Sequence, residues 1–143
     1  MKNFWVHPIA LDEINRRAKD TLVDHLGIEF VEVGDDFLTA RMPIAKEVMQ
    51  PMGIMHGGAS AALAETVASA AANYCVDQKT KVCVGLELNI NHIRPMRTGH
   101  IDAVAKPLHL GKTTQVWEIK IYEKEKLVSA ARLTLMVIDK PSS

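Results

Sequence analysis

Hydrophobic spacing along the chain changes period several times, and each change marks an element. Ile9, Leu11, Ile14, Ala18, Leu22 and Leu26 recur at helical spacing, with Asp12, Glu13, Arg16 and Arg17 opposite, so a helix is predicted from Ile9 to about Leu26, stopped by Gly27. Residues 28–33 then alternate as a strand, Gly34-Asp35-Asp36 reads as a turn, and Phe37 to Met42 reads as the returning strand before Pro43. Pro51 and Gly53 interrupt the stretch from Ala45 to Met55, which reads as loop. A helix rich in alanine, the strongest helix former, is predicted from about Gly58 to Cys75. Four further strands follow: Val82–Ile93, Gly99–Leu108, Thr114–Glu123 and Leu127–Ile138. Short connections favour an antiparallel sheet with the alanine-rich helix on its concave face, an α+β layer arrangement.

The chain has 143 residues, a length that suits one domain spanning 1–143. Lys+Arg number 17 and Asp+Glu number 17, so the formal net charge is zero. That balance speaks against a nucleic-acid binder, and 48% hydrophobic residues speak against disorder. Neutrality also does little to keep copies apart, so self-association is expected. Two cysteines are too few for a disulfide framework and fit a reduced, cytoplasmic protein. Neither a secretory signal nor a membrane-length apolar run is seen in the sequence.

The zero sum conceals two uneven stretches. Between Glu47 and Asp77 lie 29 residues with one charge, Glu65, where ordinary usage would put about seven. From His92 to Lys112 the bias is basic, with Arg94, Arg97, Lys106 and Lys112 against Asp102. A carboxylate on a helix without other charges is expected to be buried, and lost solvation would make it a stronger base or nucleophile. The alternatives are a pairing with a distant cation or a wet strip of helix. Ser69 shares the face of Glu65, and Asn73 continues it. His56 precedes Glu65 by nine residues, about 13 Å along a helix axis and about 180° around it. If both serve one site, His56 comes from another subunit, and the site lies across a two-fold dimer.

Gly57 and Gly58 follow His56 at the helix entrance, where unpaired N–H groups and the helix dipole favour a developing oxyanion. The same residues also suit a plain helix entry with His56 as cap. Gln50, just upstream, is placed to hydrogen-bond a carbonyl. The basic stretch, with Gly111-Lys112-Thr113-Thr114, suits an anionic cofactor tail or a solvated face. No metal-ligand spacing appears.

The run from Gln50 to Ser60, followed by Leu63-Ala64-Glu65, resembles the hotdog-fold acyl-CoA thioesterases with a glutamate on the central helix. Residues 85–95, 106–111 and 115–119 are similar to the same branch, and closest to its 1,4-dihydroxy-2-naphthoyl-CoA type, from menaquinone synthesis. The thioesterases that clear mischarged aryl carriers in siderophore synthesis are also similar. The resemblance covers about Leu11 to Val137.

It implies Glu65 as nucleophile or general base, and the Gly57 N–H as the group polarising the thioester carbonyl. Gln50 and His56 would hold the carbonyl or acyl group, and Ser69 would position water. His92, Arg94, Lys112 and Thr113 would contact the nucleotide of coenzyme A. The resemblance further implies a homodimer or homotetramer, with Glu65 and the His56 loop from opposite subunits. No cofactor is expected, since coenzyme A is part of the substrate, and no metal. Two other readings use the same residues: a hydratase or dehydratase on acyl-CoA or acyl carrier protein, and a non-catalytic acyl-CoA binding module.

Overall fold

A computed structural model describes residues 4–141. Six strands form one antiparallel sheet in the order β1-β2-β4-β5-β6-β3. Strands β1 (Glu29–Val33) and β2 (Leu38–Pro43) are the predicted hairpin. The long strands are β3 (Lys81–His92), β4 (His100–Leu110), β5 (Thr114–Glu123) and β6 (Lys126–Asp139). Each lies within two residues of its expected bounds at both ends. Strict alternation explains that agreement: Ile101, Ala103 and Ala105 on β4 and Trp117, Ile119 and Ile121 on β5 turn inward with no exposed surface.

Helix α3, Gly57–Asn73, lies against that inner face. Its sheet-facing side is Leu63, Ala64, Val67, Ala68, Ala71 and Ala72, all fully buried. Alanines let the helix axis approach the strands closely, so larger β-residues such as Leu133, Leu135 and Trp117 fill the space between. The Trp117 indole N–H, buried there, donates to the Gln115 side chain at 2.8 Å.

The N-terminal helix differs from expectation. It is two short pieces, α1 (Leu11–Arg17) and α2 (Leu22–His25). Between them Asp20 takes a left-handed backbone, φ 64°, which an aspartate tolerates better than most residues and which ends a helix. Its N–H is held by the Asp24 carboxylate at 3.1 Å. The break also interrupts the expected apolar face: Leu22, spaced to continue it, is 63% exposed, while Val23 and Leu26 pack against the core. Asn15 fastens α1 to β1, donating to the Phe30 carbonyl at 3.0 Å and accepting from the Phe30 N–H at 2.8 Å. Ahead of α1, the Trp5 ring stacks on Trp117 at 6.3 Å between centroids. Among the described residues no helix is long and apolar enough to cross a membrane.

Candidate functional site

The entrance of α3 is held open by its own loop. The loop is pinned where the His56 N–H donates to the Val48 carbonyl and the Met55 N–H to the Met96 carbonyl, both at 2.7 Å. His56 is then the N-cap: its Nδ1 accepts from the Gly58 N–H at 2.7 Å, so the ring proton sits on Nε2. The Ala59 N–H donates to the His56 carbonyl at 3.0 Å. That leaves the Gly57 N–H as the first-turn donor with no acceptor among the described residues. Gln50 sits in the same loop. Its side-chain oxygen accepts from the Met52 N–H, which turns the amide NH2, a donor, outward.

His92, at the end of β3, closes over this entrance. A Cβ built on Gly57 would stand 2.7 Å from His92 Nε2. His92 Nδ1 is 3.4 Å from the hydroxyls of both Ser60 and Ser129, which are buried. Ser60 already donates to the Gly57 carbonyl at 2.9 Å, so the two serines fix the plane of the His92 ring from its Nδ1 side. Nε2 therefore faces Gly57.

Glu65 lies on the same unbroken helix, eight residues past Gly57 and about 12 Å further along the axis. One thioester carbonyl cannot meet the Gly57 N–H and the Glu65 carboxylate of one chain. The expectation of burial is corrected here: in the single chain Glu65 is exposed. The helix turns this residue away from the core, toward β3, which is an edge strand. Its Oε2 occupies a recess over Gly85, where a Cβ would come within 2.6 Å. Gly85 also begins a bulge in the β3–β6 ladder, between Gly85 and Glu87. Glycine within a strand pattern is the sequence signal that marks such a close approach.

Ser69, one turn beyond Glu65, opens into a cavity of about 640 Å³ between α1, α2 and the C-terminal half of α3. Asn73 also lines it but is fully committed. It donates to the Ser69 and Cys83 carbonyls and accepts from the Cys83 N–H, tying α3 to β3. The expected polar strip thus divides into one structural residue and one open hydroxyl.

The four residues expected to contact coenzyme A fall into two separate pairs. His92 is opposite Ser129 on β6, with Arg94 just beyond. The turn holding Lys112 and Thr113 lies at the other end of that strand, the Thr113 carbonyl accepting from the Val137 N–H at 2.8 Å. Residues 129 and 137 on one strand are roughly 26 Å apart. Cys75 and Cys83 are poor nucleophiles: burial pushes their thiols up to about 12 and about 11, with the nearby Cys83 adding to the rise at Cys75. Among the described residues no group of three or more His, Cys, Asp or Glu side chains is placed to hold a metal ion.

Comparisons with known proteins converge on one family. The sequence profile of the Thioesterase superfamily matches residues 52–130. The chain is 44% identical over 135 residues to the 1,4-dihydroxy-2-naphthoyl-CoA hydrolase of Escherichia coli, covering 94% of this chain and 98% of that one. Among solved structures, a thioesterase from Haemophilus influenzae superposes with a TM-score of 0.92 at 44% identity, covering 95% of each chain. A mutant thioesterase from Pseudomonas aeruginosa gives 0.94 at 42% identity, covering 96% of this chain and 99% of that one. The antiparallel sheet around a central helix is the hotdog fold, and this chain belongs to the thioesterase superfamily as a thioester hydrolase.

Proposed function

We propose that the protein hydrolyses an aromatic acyl-CoA thioester to the free acid and coenzyme A, with 1,4-dihydroxy-2-naphthoyl-CoA as the leading candidate substrate and Glu65 as the catalytic carboxylate. The observation that carries this reading is the pair of groups left unused on α3: a free Gly57 N–H at its start and a carboxylate seated over Gly85 in its middle. The named activity of the Escherichia coli relative supports the choice of substrate.

The active site is built from two chains. Strand β3 is a twelve-residue edge strand with exposed Val84 and Leu86, a surface that single chains normally protect. Antiparallel pairing of β3 with a second copy, about a two-fold axis near its middle, exchanges the ends. The Gly57–His92 end of one chain then meets the Glu65–Gly85 end of the other. The same exchange brings His92 and Arg94 toward the partner's Lys112–Thr113 turn, which reunites the four residues proposed for the coenzyme A nucleotide.

In the reaction, the carbonyl oxygen of the thioester accepts from the Gly57 N–H and the Gln50 amide. Glu65 of the other chain takes a proton from water as the water adds to the carbonyl carbon, or adds itself and forms an anhydride that water then opens. Ser69 holds the water beside Glu65. Gly57 and the helix dipole stabilise the oxyanion. In the general-base route the C–S bond breaks as Glu65 passes that proton to the sulfur; in the anhydride route the sulfur leaves as thiolate and takes its proton from solvent water. His92 orders the carbonyl end through its fixed ring. No cofactor or metal enters these steps.

The test is release of free thiol from 1,4-dihydroxy-2-naphthoyl-CoA and benzoyl-CoA. The wild type should turn over, and Glu65→Gln should lose at least about 10³-fold in kcat while melting normally, as its exposed side chain supports no core. Full activity in that variant would sink the assignment. Formation of an enoyl product without free coenzyme A would favour the dehydratase reading instead.

A further inference from the structure

The cavity beyond Ser69 carries a second chemical preference, and this inference rests on the thioesterase reading just given. Its walls are apolar and partly aromatic, including Phe30 and Tyr74. Its polar side chains are mostly spoken for within the protein. Asn73 spends both its donors and its acceptor on α3 and β3. The Gln78 amide donates to the Asn73 carbonyl at 2.8 Å, and the Thr21 hydroxyl donates to the Ala18 carbonyl at 2.5 Å. Lys81 is paired with Asp139, and Lys140 donates to the Gln78 carbonyl at 3.2 Å.

Four polar side chains of the lining have no partner among the described residues: Ser69 and Thr66 on α3, the Tyr74 hydroxyl just beyond it, and Arg17, exposed on α1. Ser69 and Thr66 adjoin Glu65, so they stand at the thioester end. Arg17 comes from the opposite wall, where α1 is fastened to β1 by Asn15. No Asp or Glu lines the cavity. Glu13 and Asp20 lie within four residues of Arg17 in the sequence, but neither forms an ion pair with it among the described residues.

We infer that Arg17 is a specificity-determining residue, which reads an acceptor oxygen, carboxylate or phenolic hydroxyl, on the acyl group at the end remote from the thioester. A guanidinium offers a planar fork of donors matched to such oxygens. An acyl group reaching from Glu65 past Ser69 passes between the aromatic walls before it meets Arg17. Arg17 is exposed, so a purely hydrocarbon acyl group would fill the walls and leave the guanidinium to water. This selection differs from size exclusion, because an oxygen-bearing acyl group gains a charge-assisted bond that its analogue lacks.

The experiment compares benzoyl-CoA, 4-hydroxybenzoyl-CoA and 4-carboxybenzoyl-CoA on the full-length protein, with Arg17→Met and Arg17→Lys beside the wild type. The wild type should favour at least one oxygen-bearing ester over benzoyl-CoA by about tenfold or more in kcat/KM, mainly through KM, as a charge-assisted hydrogen bond implies. Arg17→Met should erase that ratio, and Arg17→Lys should keep part of it. The hydroxyl and carboxylate arms tell which oxygen is read. Ratios below that threshold for both esters, or a ratio that survives in Arg17→Met, overturn the role of Arg17 while leaving the thioesterase reading intact. If the wild type cleaves 1,4-dihydroxy-2-naphthoyl-CoA but none of the three, the inference about Arg17 falls alone; if it cleaves none of the four, the reading itself falls with it.

Discussion

The Glu65 carboxylate sits where the side chain of residue 85 would be, 2.6 Å from the Cβ position that Gly85 lacks. A helix residue and a strand residue twenty positions apart thus share one recess, and the missing side chain sets where the carboxylate points. The obstructing atom is the end of a flexible side chain, so a small intrusion displaces the carboxylate without disturbing the core.

Gly85→Ala is therefore expected to leave the melting temperature within a few degrees of wild type while kcat falls about 10²-fold, the scale of a misplacement near 1 Å. Thiol-release kinetics alongside thermal unfolding checks this. A variant with normal kcat would show that the carboxylate does not work from that recess.

The opposite end of the site makes a paired prediction. Gly57→Ala places a methyl 2.7 Å from His92 Nε2 and crowds the free Gly57 N–H. Its kcat should fall about 10²- to 10³-fold, the scale for losing one oxyanion donor. In Gly57→Ala/His92→Ala the ring is gone, so a measurable part of the loss should return. Strict additivity of the two single losses would mean that the residues do not meet in the working site.

The buried thiols make a pH prediction. Cys75 and Cys83 hold their protons up to about 12 and about 11 in the fold, against an ordinary 9.0. Below pH 9 both the folded and the unfolded chain keep the proton, and the contribution to stability is constant. Above it the unfolded thiols ionise first, so stability falls as pH rises toward 11–12. Urea unfolding at pH 8 and pH 10 should show this loss, and Cys75→Ala should reduce it. At pH 8 a thiol reagent should label the native protein far more slowly than the unfolded one.

Period-two alternation carried the strands and alanine content carried α3, because both patterns reflect one face against one core. The expected N-terminal helix ran too long for a related reason. Leu22 and Leu26 keep helical spacing with Ile14 and Ala18, and nothing in that spacing announces the left-handed Asp20. Glu65 was legible as the lone charge of its stretch, but counting charges does not say which side of a helix meets solvent. That depends on β3 being an edge, a property of strand order. The tie between His92, Ser60 and Ser129, and the cavity shared by Arg17 and Ser69, join residues from distant parts of the chain, so no local period encodes them.

Trp5 and Trp117 are the two tryptophans of the chain, and they stack with an interplanar angle of 19°. One rides on the segment ahead of α1; the other lies inside the sheet and is wholly enclosed. The protein thereby contains its own optical gauge. Exciton coupling between the two indoles reads whether the N-terminal segment is seated, and that segment leads directly into the helix that bears Arg17. Ultraviolet circular dichroism can thus report, on an unlabelled and unmutated protein, whether that segment is seated against the sheet.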